Sequence, residues 1–179
     1  MADIIEASVL TTNIVNFVSL CERLIRINLI DFLNSHYFNI VHRYILKYMG
    51  MLDITVGDRQ LAYWILSRNK EETYMACKAA LDIINEIYED NKNLSIDEHF
   101  EVCISITTGK VIKAQKTIMG DYVNFGARLA SAGKEYGVKI LIDENTYSVA
   151  KNHVLCRGID TIFVKGGGLK ELYELIDYQ

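Results

Sequence analysis

Hydrophobic spacing switches between the helical and the strand period along this chain, and the order of these switches is what most constrains its fold. The elements predicted in the first half are a strand at 8–15, a helix at 17–48 broken around 28–31 and ended by Gly50, strands at 51–56 and 60–66 joined by a turn at Gly57-Asp58, a helix at 71–88 and a strand at 100–107. This β-α-β-β-α-β order is the ferredoxin-like pattern.

The second half adds further elements to this core. They are a strand at 111–118 that follows Gly109 as a hairpin partner of 100–107, a helix at 121–135 ended near Gly137, a strand at 138–142, a helix capped by Asp143, and a hairpin of 159–164 and 169–176 around glycines 166–168. We therefore expect an α+β fold in which a ferredoxin-like core carries an extra C-terminal helix and hairpin. Its sheet should be mostly antiparallel, with the helices on one face.

The composition is that of one globular domain spanning 1–179. The 179 residues contain no proline and no Gly/Ser-rich linker, so nothing predicts an internal boundary. Lys and Arg number 19 against 23 for Asp and Glu, and this net charge of −4 argues against a nucleic-acid partner. The four cysteines form no C-x-x-C pair and the four histidines no H-E-x-x-H pair, so zinc is not expected.

Membrane and export signals are also missing from the sequence. No apolar run approaches the ~18 residues that a membrane span needs, so no span is expected. The first residues carry no basic segment of the kind that begins a signal peptide. We therefore expect a cytoplasmic domain.

A motif at 120–129, G-D-Y-V-N-F-G-A-R-L, resembles the signature G-x-x-V-N-x-A-x-R-L of the class III adenylyl/guanylyl cyclase catalytic domain. Four other segments match that family in the same order: T-N-I-V-N-F at 12–17, the G-to-G-D spacing at 50–58, S-I-T-T-G-K-V at 105–111, and V-K-G-G-G with L-K-E-L-Y-E-L at 164–175. Five ordered matches indicate the cyclase fold.

The resemblance implies a chemistry and an assembly. In this family the ribose 3′-hydroxyl of a nucleoside triphosphate attacks its own α-phosphate, and pyrophosphate leaves. Two Mg²⁺ or Mn²⁺ ions, held by two aspartates of one chain, lower the pKa of the hydroxyl and hold the phosphates. The partner chain of a dimer supplies an Asn, an Arg and a Lys, so the resemblance implies a homodimer, or a heterodimer with a cyclase relative.

Three residues match the phosphate- and ribose-binding positions of the family. Asn124 and Arg128, four residues apart on one helix face, would orient the ribose and neutralise charge on the α-phosphate. Their alternative interpretation is an ordinary exposed polar helix face. Lys165 matches the triphosphate-binding lysine, and its alternative is a solvated lysine of a hairpin turn.

The metal positions depart from the family pattern. Asp58 matches the second metal aspartate, and its alternative interpretation is a turn aspartate with a local side-chain bond. Arg59, which follows it, could pair with Asp58 and compete with a metal for it. Asn13 stands where the first metal aspartate belongs, and a neutral amide cannot bridge two dications. Asn16 replaces a glycine of the phosphate loop, where we expect its side chain to obstruct that loop.

The base-reading positions are also unusual. Ile54 replaces the lysine that reads adenine in adenylyl cyclases, and isoleucine offers no hydrogen bond to a base. Thr117 could fill the second base-reading position, although the segment around it is shorter than in the family.

Two hypotheses remain open. The favoured one is a signalling domain that is not self-sufficient in catalysis: a dimerising or nucleotide-sensing module, or the metal-less half of a heterodimer, with no metal of its own. The alternative is an active homodimeric cyclase that uses Mg²⁺ or Mn²⁺ and in which Asn13 serves as an adequate ligand. A ferredoxin-like interaction domain unrelated to nucleotides would require the ordered matches to be chance.

Overall fold

A computed structural model describes residues 2–25, 28–53, 56–164 and 167–179. The strands are β1 (Ala2–Ile14), β2 (Met51–Leu52), β3 (Gln60–Ile65), β4 (Val102–Ala114), β5 (Thr117–Met119), β6 (Ile140–Asp143), β7 (Val154–Val164) and β8 (Gly168–Tyr178). The α-helices are α1 (Phe17–Arg23), α2 (Leu29–Leu33), α3 (Asn39–Lys47), α4 (Glu71–Asn91), α5 (Asp121–Tyr136) and α6 (Glu144–Ala150). Within these described residues, no helix is long and apolar enough to cross a membrane.

The strands form one mixed sheet in the order β2-β3-β1-β4-β6-β8-β7, with β5 paired to β4. The ferredoxin-like core is the part β2-β3-β1-β4, whose pairs are all antiparallel. Strand β6 runs parallel to β4, and the β7–β8 hairpin extends the sheet beyond it. The predicted α+β class and the ferredoxin-like core with a C-terminal helix and hairpin are therefore confirmed.

The expectation that the helices share one face is wrong, because α5 packs on the other side of the sheet. Successive side chains of a strand point to opposite faces. On β1, Ser8 hydrogen bonds with Thr73 of α4, 2.9 Å away. Thr11 lies on the opposite face, where its hydroxyl is close to Gly126 of α5. The sheet is thus covered on both sides at β1 and β4.

The predicted turn at Gly109 is also wrong. Strand β4 continues through Gly109, and the hairpin to β5 turns at Gln115, which has a φ of 57°. A Cβ at position 109 would lie 2.2 Å from the ring of Tyr122. The glycine therefore allows a close approach between β4 and α5 and does not break the strand.

The long helical segment is divided as its periodicity predicts, and because α1 ends at Arg23 and α2 begins at Leu29, the division falls slightly earlier than expected. A π-helical turn, Asn34–Phe38, joins α2 to α3. Met49, with a φ of 60°, takes the left-handed position after α3, whereas Gly50 packs against the buried Trp64. A Cβ on Gly50 would lie 2.5 Å from the Trp64 ring, so packing requires this glycine.

Helices α5 and α6 end and begin at the glycine and aspartate that the sequence predicts for them. Gly137 ends α5 with a φ of 65°, as predicted. Asp143 caps α6 by accepting a hydrogen bond from the backbone N–H of Thr146. The last hairpin is longer than predicted, and the predicted turn includes Gly166, which lies outside the described residues.

Candidate functional site

Asp58 lies at the tip of the β2–β3 connection and is tied to the end of β1. Its Oδ2 accepts a hydrogen bond from the backbone N–H of Ile14 at 2.8 Å. The Tyr37 hydroxyl donates to the carbonyl oxygen of Asp58 at 2.7 Å and lies 2.5 Å from the hydroxyl of Thr12. Burial raises the pKa of Tyr37, so this hydroxyl remains a donor. The Asp58 carboxylate is thereby fixed next to the residue that follows Asn13.

Asn13 is half-buried on the α5 side of the sheet. Its Nδ2 donates a hydrogen bond to the Ser131 Oγ at 3.1 Å, and that hydroxyl donates to the carbonyl of Ala127 at 3.1 Å. Asn13 and Asp58 are therefore neighbours through the backbone of β1, but their side chains bind different parts of the molecule.

These residues do not fit a site for two divalent cations. The donor set is one carboxylate, with one oxygen already bonded to a backbone N–H, and one amide whose nitrogen is bonded to Ser131. In the part of the chain that the structure describes, no group of three or more His, Cys, Asp or Glu side chains could hold a metal ion. Two dications would keep most of their charge uncompensated here.

Asn16 adopts a backbone conformation that suits the glycine of the family pattern. Its φ and ψ are 55° and 43°, in the left-handed region that asparagine tolerates better than most residues, and it directly precedes α1. Its Oδ1 accepts a hydrogen bond from the Lys134 ammonium at 2.8 Å. The side chain is thus bonded to the end of α5.

Asn124 and Arg128 are exposed on α5, one turn apart. Arg128 lines a cavity of about 300 Å³ with Arg59, Ala127, Ser131, Ala132 and Glu135. Asn124 is not among these residues. Through Ser131 the cavity is linked to Asn13, so the structure brings Asn13 and Arg128 to one place on this face.

Arg59 also lines this cavity, whereas its sequence position suggested only a partner for Asp58. No Arg59–Asp58 ion pair occurs among the described residues, and the buried Arg59 Nε has no hydrogen-bond partner there. Arg59 and Arg128 therefore place two guanidinium groups on one cavity, which favours an anion. The position of Arg59, directly after the candidate metal residue Asp58, is the sequence signal that could have suggested this.

Thr117 lies at the start of β5 and is held by Asp53, a residue that no sequence motif indicated. The Thr117 hydroxyl donates to Asp53 Oδ1 at 2.8 Å, and the backbone N–H of Ile118 donates to Asp53 Oδ2 at 2.7 Å. Asp53 thereby joins the end of β2 to the β4–β5 hairpin. The other two predicted site residues, Ile54 and Lys165, lie outside the described residues.

Comparisons with known proteins agree with this fold over nearly the whole chain. Residues 1–177 match the family model of the adenylate and guanylate cyclase catalytic domain. The adenylyl cyclase CyaB from P. aeruginosa superimposes with a TM-score of 0.83 at 26% identity, covering 100% of this chain and 97% of that one. The catalytic core of a rhodopsin-guanylyl cyclase with converted specificity, in complex with ATPalphaS, has a TM-score of 0.79 at 21% identity and full coverage of both chains.

A terminal-differentiation-specific adenylate cyclase of Dictyostelium discoideum is 28% identical over 93% of this chain. The match spans only 8% of that relative, and a match to adenylate cyclase 1 of Rhizobium meliloti, 24% identical over 96% of this chain, spans 27% of its length. The chain thus corresponds to a small part of each curated relative. It belongs to the adenylate and guanylate cyclase catalytic-domain family.

Proposed function

We propose that this chain is a single cyclase-homology domain of cytoplasmic signalling that is not self-sufficient in catalysis. In this proposal it binds a nucleoside triphosphate at a dimer interface and supplies Asn124, Arg128 and Lys165 to the ribose and phosphates. The preferred form is the metal-less half of a heterodimer, in which the partner chain brings the carboxylates that hold Mg²⁺ or Mn²⁺.

The observation that carries the proposal is the donor set at the metal position. Asn13 is neutral and bonded to Ser131, while one oxygen of Asp58 is bonded to the Ile14 N–H. Catalysis in this family asks each metal for several kcal/mol of charge stabilisation. One carboxylate and one neutral amide cannot offset the positive charge of two divalent cations.

The surroundings of Arg128 support its proposed role in binding phosphate. Arg128 is exposed, and no carboxylate lies within ion-pair distance of it among the described residues. A guanidinium that no carboxylate neutralises can bind phosphate oxygens in a bidentate manner. This half of a cyclase site would complete the metal site of a second chain.

The test is complementation with a cyclase relative that has both metal aspartates but has lost its own Asn and Arg. Each protein alone should produce no cyclic nucleotide from ATP or GTP with Mn²⁺, and the mixture should produce it. The same mixture with Arg128→Ala should be inactive, and Lys151→Ala, which changes an exposed lysine of α6's C-terminus, is the matched control. Activity of the isolated wild-type protein would contradict the proposal.

The second candidate is an active homodimer. It is favoured by the anchoring of Asp58 to β1 directly after Asn13, which leaves a carboxylate and an amide carbonyl as neighbouring oxygen donors. Incubation of the pure protein with ATP, GTP, CTP or UTP and Mn²⁺, followed by mass spectrometry, separates the two candidates. A 3′,5′-cyclic product and pyrophosphate from one of them would establish the active form.

A further inference from the structure

Helix α5 is held on the sheet by two buried hydroxyl groups of β4. The Ser105 Oγ donates a hydrogen bond to the carbonyl oxygen of Gly126 at 2.6 Å, and the Thr107 Oγ1 donates to the carbonyl oxygen of Tyr122 at 2.8 Å. Both Ser105 and Thr107 are fully buried. A carbonyl oxygen has two lone pairs, so these contacts add to the hydrogen bonds of the helix and do not replace them.

The spacing of the two donors matches the spacing of the two acceptors. Positions 105 and 107 are two residues apart on a strand, which corresponds to about 6.6 Å. Positions 122 and 126 are four residues apart on a helix, which corresponds to about 6 Å along its axis. The two hydrogen bonds therefore lie side by side, and together they restrain both the position of α5 along β4 and its rotation about its own axis.

Gly126 allows the helix to lie this close to the hydroxyl groups. A Cβ at position 126 would lie 3.1 Å from the Thr107 Oγ1, 3.4 Å from the Thr11 Oγ1 and 3.5 Å from the Ser105 Oγ. The first of these distances is shorter than most real Cβ contacts, so Thr107 would have to move slightly. The class III signature G-x-x-V-N-x-A-x-R-L has an alanine at this position, where this chain has a glycine. The departure from the signature therefore suits the two hydroxyl contacts.

The rotation of α5 determines where its exposed side chains point. Each residue of an α-helix is turned by about 100° from the one before it. Asn124 is therefore about 200° from Tyr122 around the helix axis, and Arg128 is as far from Gly126. Both Asn124 and Arg128 lie on the side away from β4, and both are exposed. Any rotation of α5 moves these two side chains together.

We propose that Ser105 and Thr107 are positioning residues for Arg128. Their hydroxyl groups set the rotation of α5, and this rotation sets where the guanidinium meets a phosphate group. The inference rests on the proposed function for the role of Arg128, whereas the orientation of the helix is measured without a nucleotide. A packing role would depend on the shape of the two side chains, but the positioning role depends on their hydroxyl groups.

The test compares two substitutions of Thr107. Thr107→Val, combined with Ser105→Ala, removes both donors and nearly keeps the shape of the side chain at 107, while Thr107→Ser keeps the hydroxyl and removes a methyl group. Backbone residual dipolar couplings report the orientation of α5 relative to the sheet. We expect the couplings of α5 to change in the double variant and to keep their wild-type values in Thr107→Ser. Thr161→Val, at an exposed position of β7, is the control and should change none of them.

Two results of this comparison would overturn the proposal. One is a set of unchanged α5 couplings in the double variant, and the other is an equal change in Thr107→Ser, which would identify a packing role. If the double variant does not fold, Thr107→Val alone gives the same comparison.

The second readout is a double-mutant cycle with Arg128→Ala. In fluorescence titration with a labelled triphosphate, Arg128→Ala should weaken binding about tenfold in the wild type but about threefold or less in the double variant, where the guanidinium is already misplaced. Equal tenfold losses in both backgrounds would overturn the proposal, because the hydroxyl groups would then act independently of Arg128. If Arg128→Ala costs nothing in the wild type, the proposed function fails, and the dipolar couplings alone decide whether the hydroxyl groups set the rotation of α5.

Discussion

The amide nitrogen of Asn13 donates a hydrogen bond to the hydroxyl of Ser131 at 3.1 Å. This contact joins Asn13, which stands at the predicted position of the first metal aspartate, to the helix that carries Arg128. Ser131 lines the same cavity as Arg128 and Arg59. The end of β1 is therefore hydrogen bonded to a residue of that cavity. An asparagine here adds a donor toward α5, where an aspartate would add negative charge.

Asn13→Asp should raise the affinity for Mn²⁺ together with a non-hydrolysable triphosphate. A second carboxylate beside Asp58 offsets cation charge that one carboxylate leaves uncompensated. The Ser131 hydroxyl can rotate to donate to the new carboxylate, so the contact survives the change. Calorimetric titration of both proteins measures the difference, and we expect little or no cyclase activity from the wild-type homodimer.

The control is Asn13→Asp combined with Asp58→Asn, which restores a single carboxylate and should return the affinity to the wild-type level. Turnover by wild type at ordinary enzyme rates of ~1 s⁻¹ or more would show that Asn13 is an adequate ligand.

Arg128→Ala should weaken triphosphate binding about tenfold, because a charge-assisted contact to phosphate is lost. The free energy of unfolding should change by less than about 0.5 kcal/mol, since the side chain is exposed and has no ion pair within the described residues. Fluorescence titration with a labelled triphosphate and urea denaturation measure the two quantities. Equal losses of binding in Lys151→Ala would instead indicate nonspecific electrostatics.

Elements with strong local signals could be predicted from the sequence. Helix α5 ends before Gly137 and α6 begins after the Asp143 cap, because both signals act within a few residues. The faces of the sheet could not be predicted in this way. The packing of α5 opposite α4 depends on which side of β1 each helix covers, and no short segment encodes that choice.

In the candidate site, too, local features could be predicted from the sequence and contacts between distant segments could not. The helix spacing of Asn124 and Arg128 predicts one exposed face, which the structure has. The roles of Asp53 and Arg59 arise from contacts between distant segments: Asp53 binds Thr117, 64 positions along the chain. Asn16 has a left-handed backbone conformation that asparagine tolerates, and obstruction of the loop by its side chain stays a prediction.

Gly109→Ala should destabilise the protein by about 1–3 kcal/mol, the usual cost of overpacking. The new methyl group would lie 2.2 Å from the Tyr122 ring, which must move. Tyr122 is also held by the side-chain amide of Asn145, at 3.0 Å from its hydroxyl. Gly158→Ala is the matched control, because its Cβ would meet nothing within 4 Å. Urea denaturation of both variants gives the comparison, and equal midpoints would contradict the packing argument.

Asp143 is a buried carboxylate at the end of β6 that is hydrogen bonded to residues of β4 and α6. Its Oδ1 accepts hydrogen bonds from the N–H of Thr108 at 3.2 Å and from the N–H and hydroxyl of Thr146 at 3.0 and 2.6 Å. The Thr108 hydroxyl continues the network to Ser8, which bonds in turn with Thr73. The Asp143 Oδ2 is buried without a hydrogen-bond partner among the described residues.

Burial raises the pKa of Asp143 from its ordinary value near 3.8 to about 6, and its hydrogen bonds and Lys170 offset only part of that rise. The folded state therefore binds a proton that the unfolded state has lost between about pH 4 and pH 6. Over that interval the contribution of Asp143 to the free energy of unfolding should fall as pH rises, by on the order of 2–3 kcal/mol, and then stay constant.

The test is the difference in unfolding free energy between wild type and Asp143→Asn at a series of pH values. Asparagine keeps an oxygen to accept the Thr146 N–H but does not titrate, and subtraction removes the effects of other carboxylates such as Glu144, whose pKa its hydrogen bond with Lys170 lowers. We expect wild type to lose stability relative to the variant from pH 4 to pH 6. A flat difference for Asp143→Asn would contradict the prediction, because it would mean that the carboxylate binds its proton equally well in the folded and the unfolded protein.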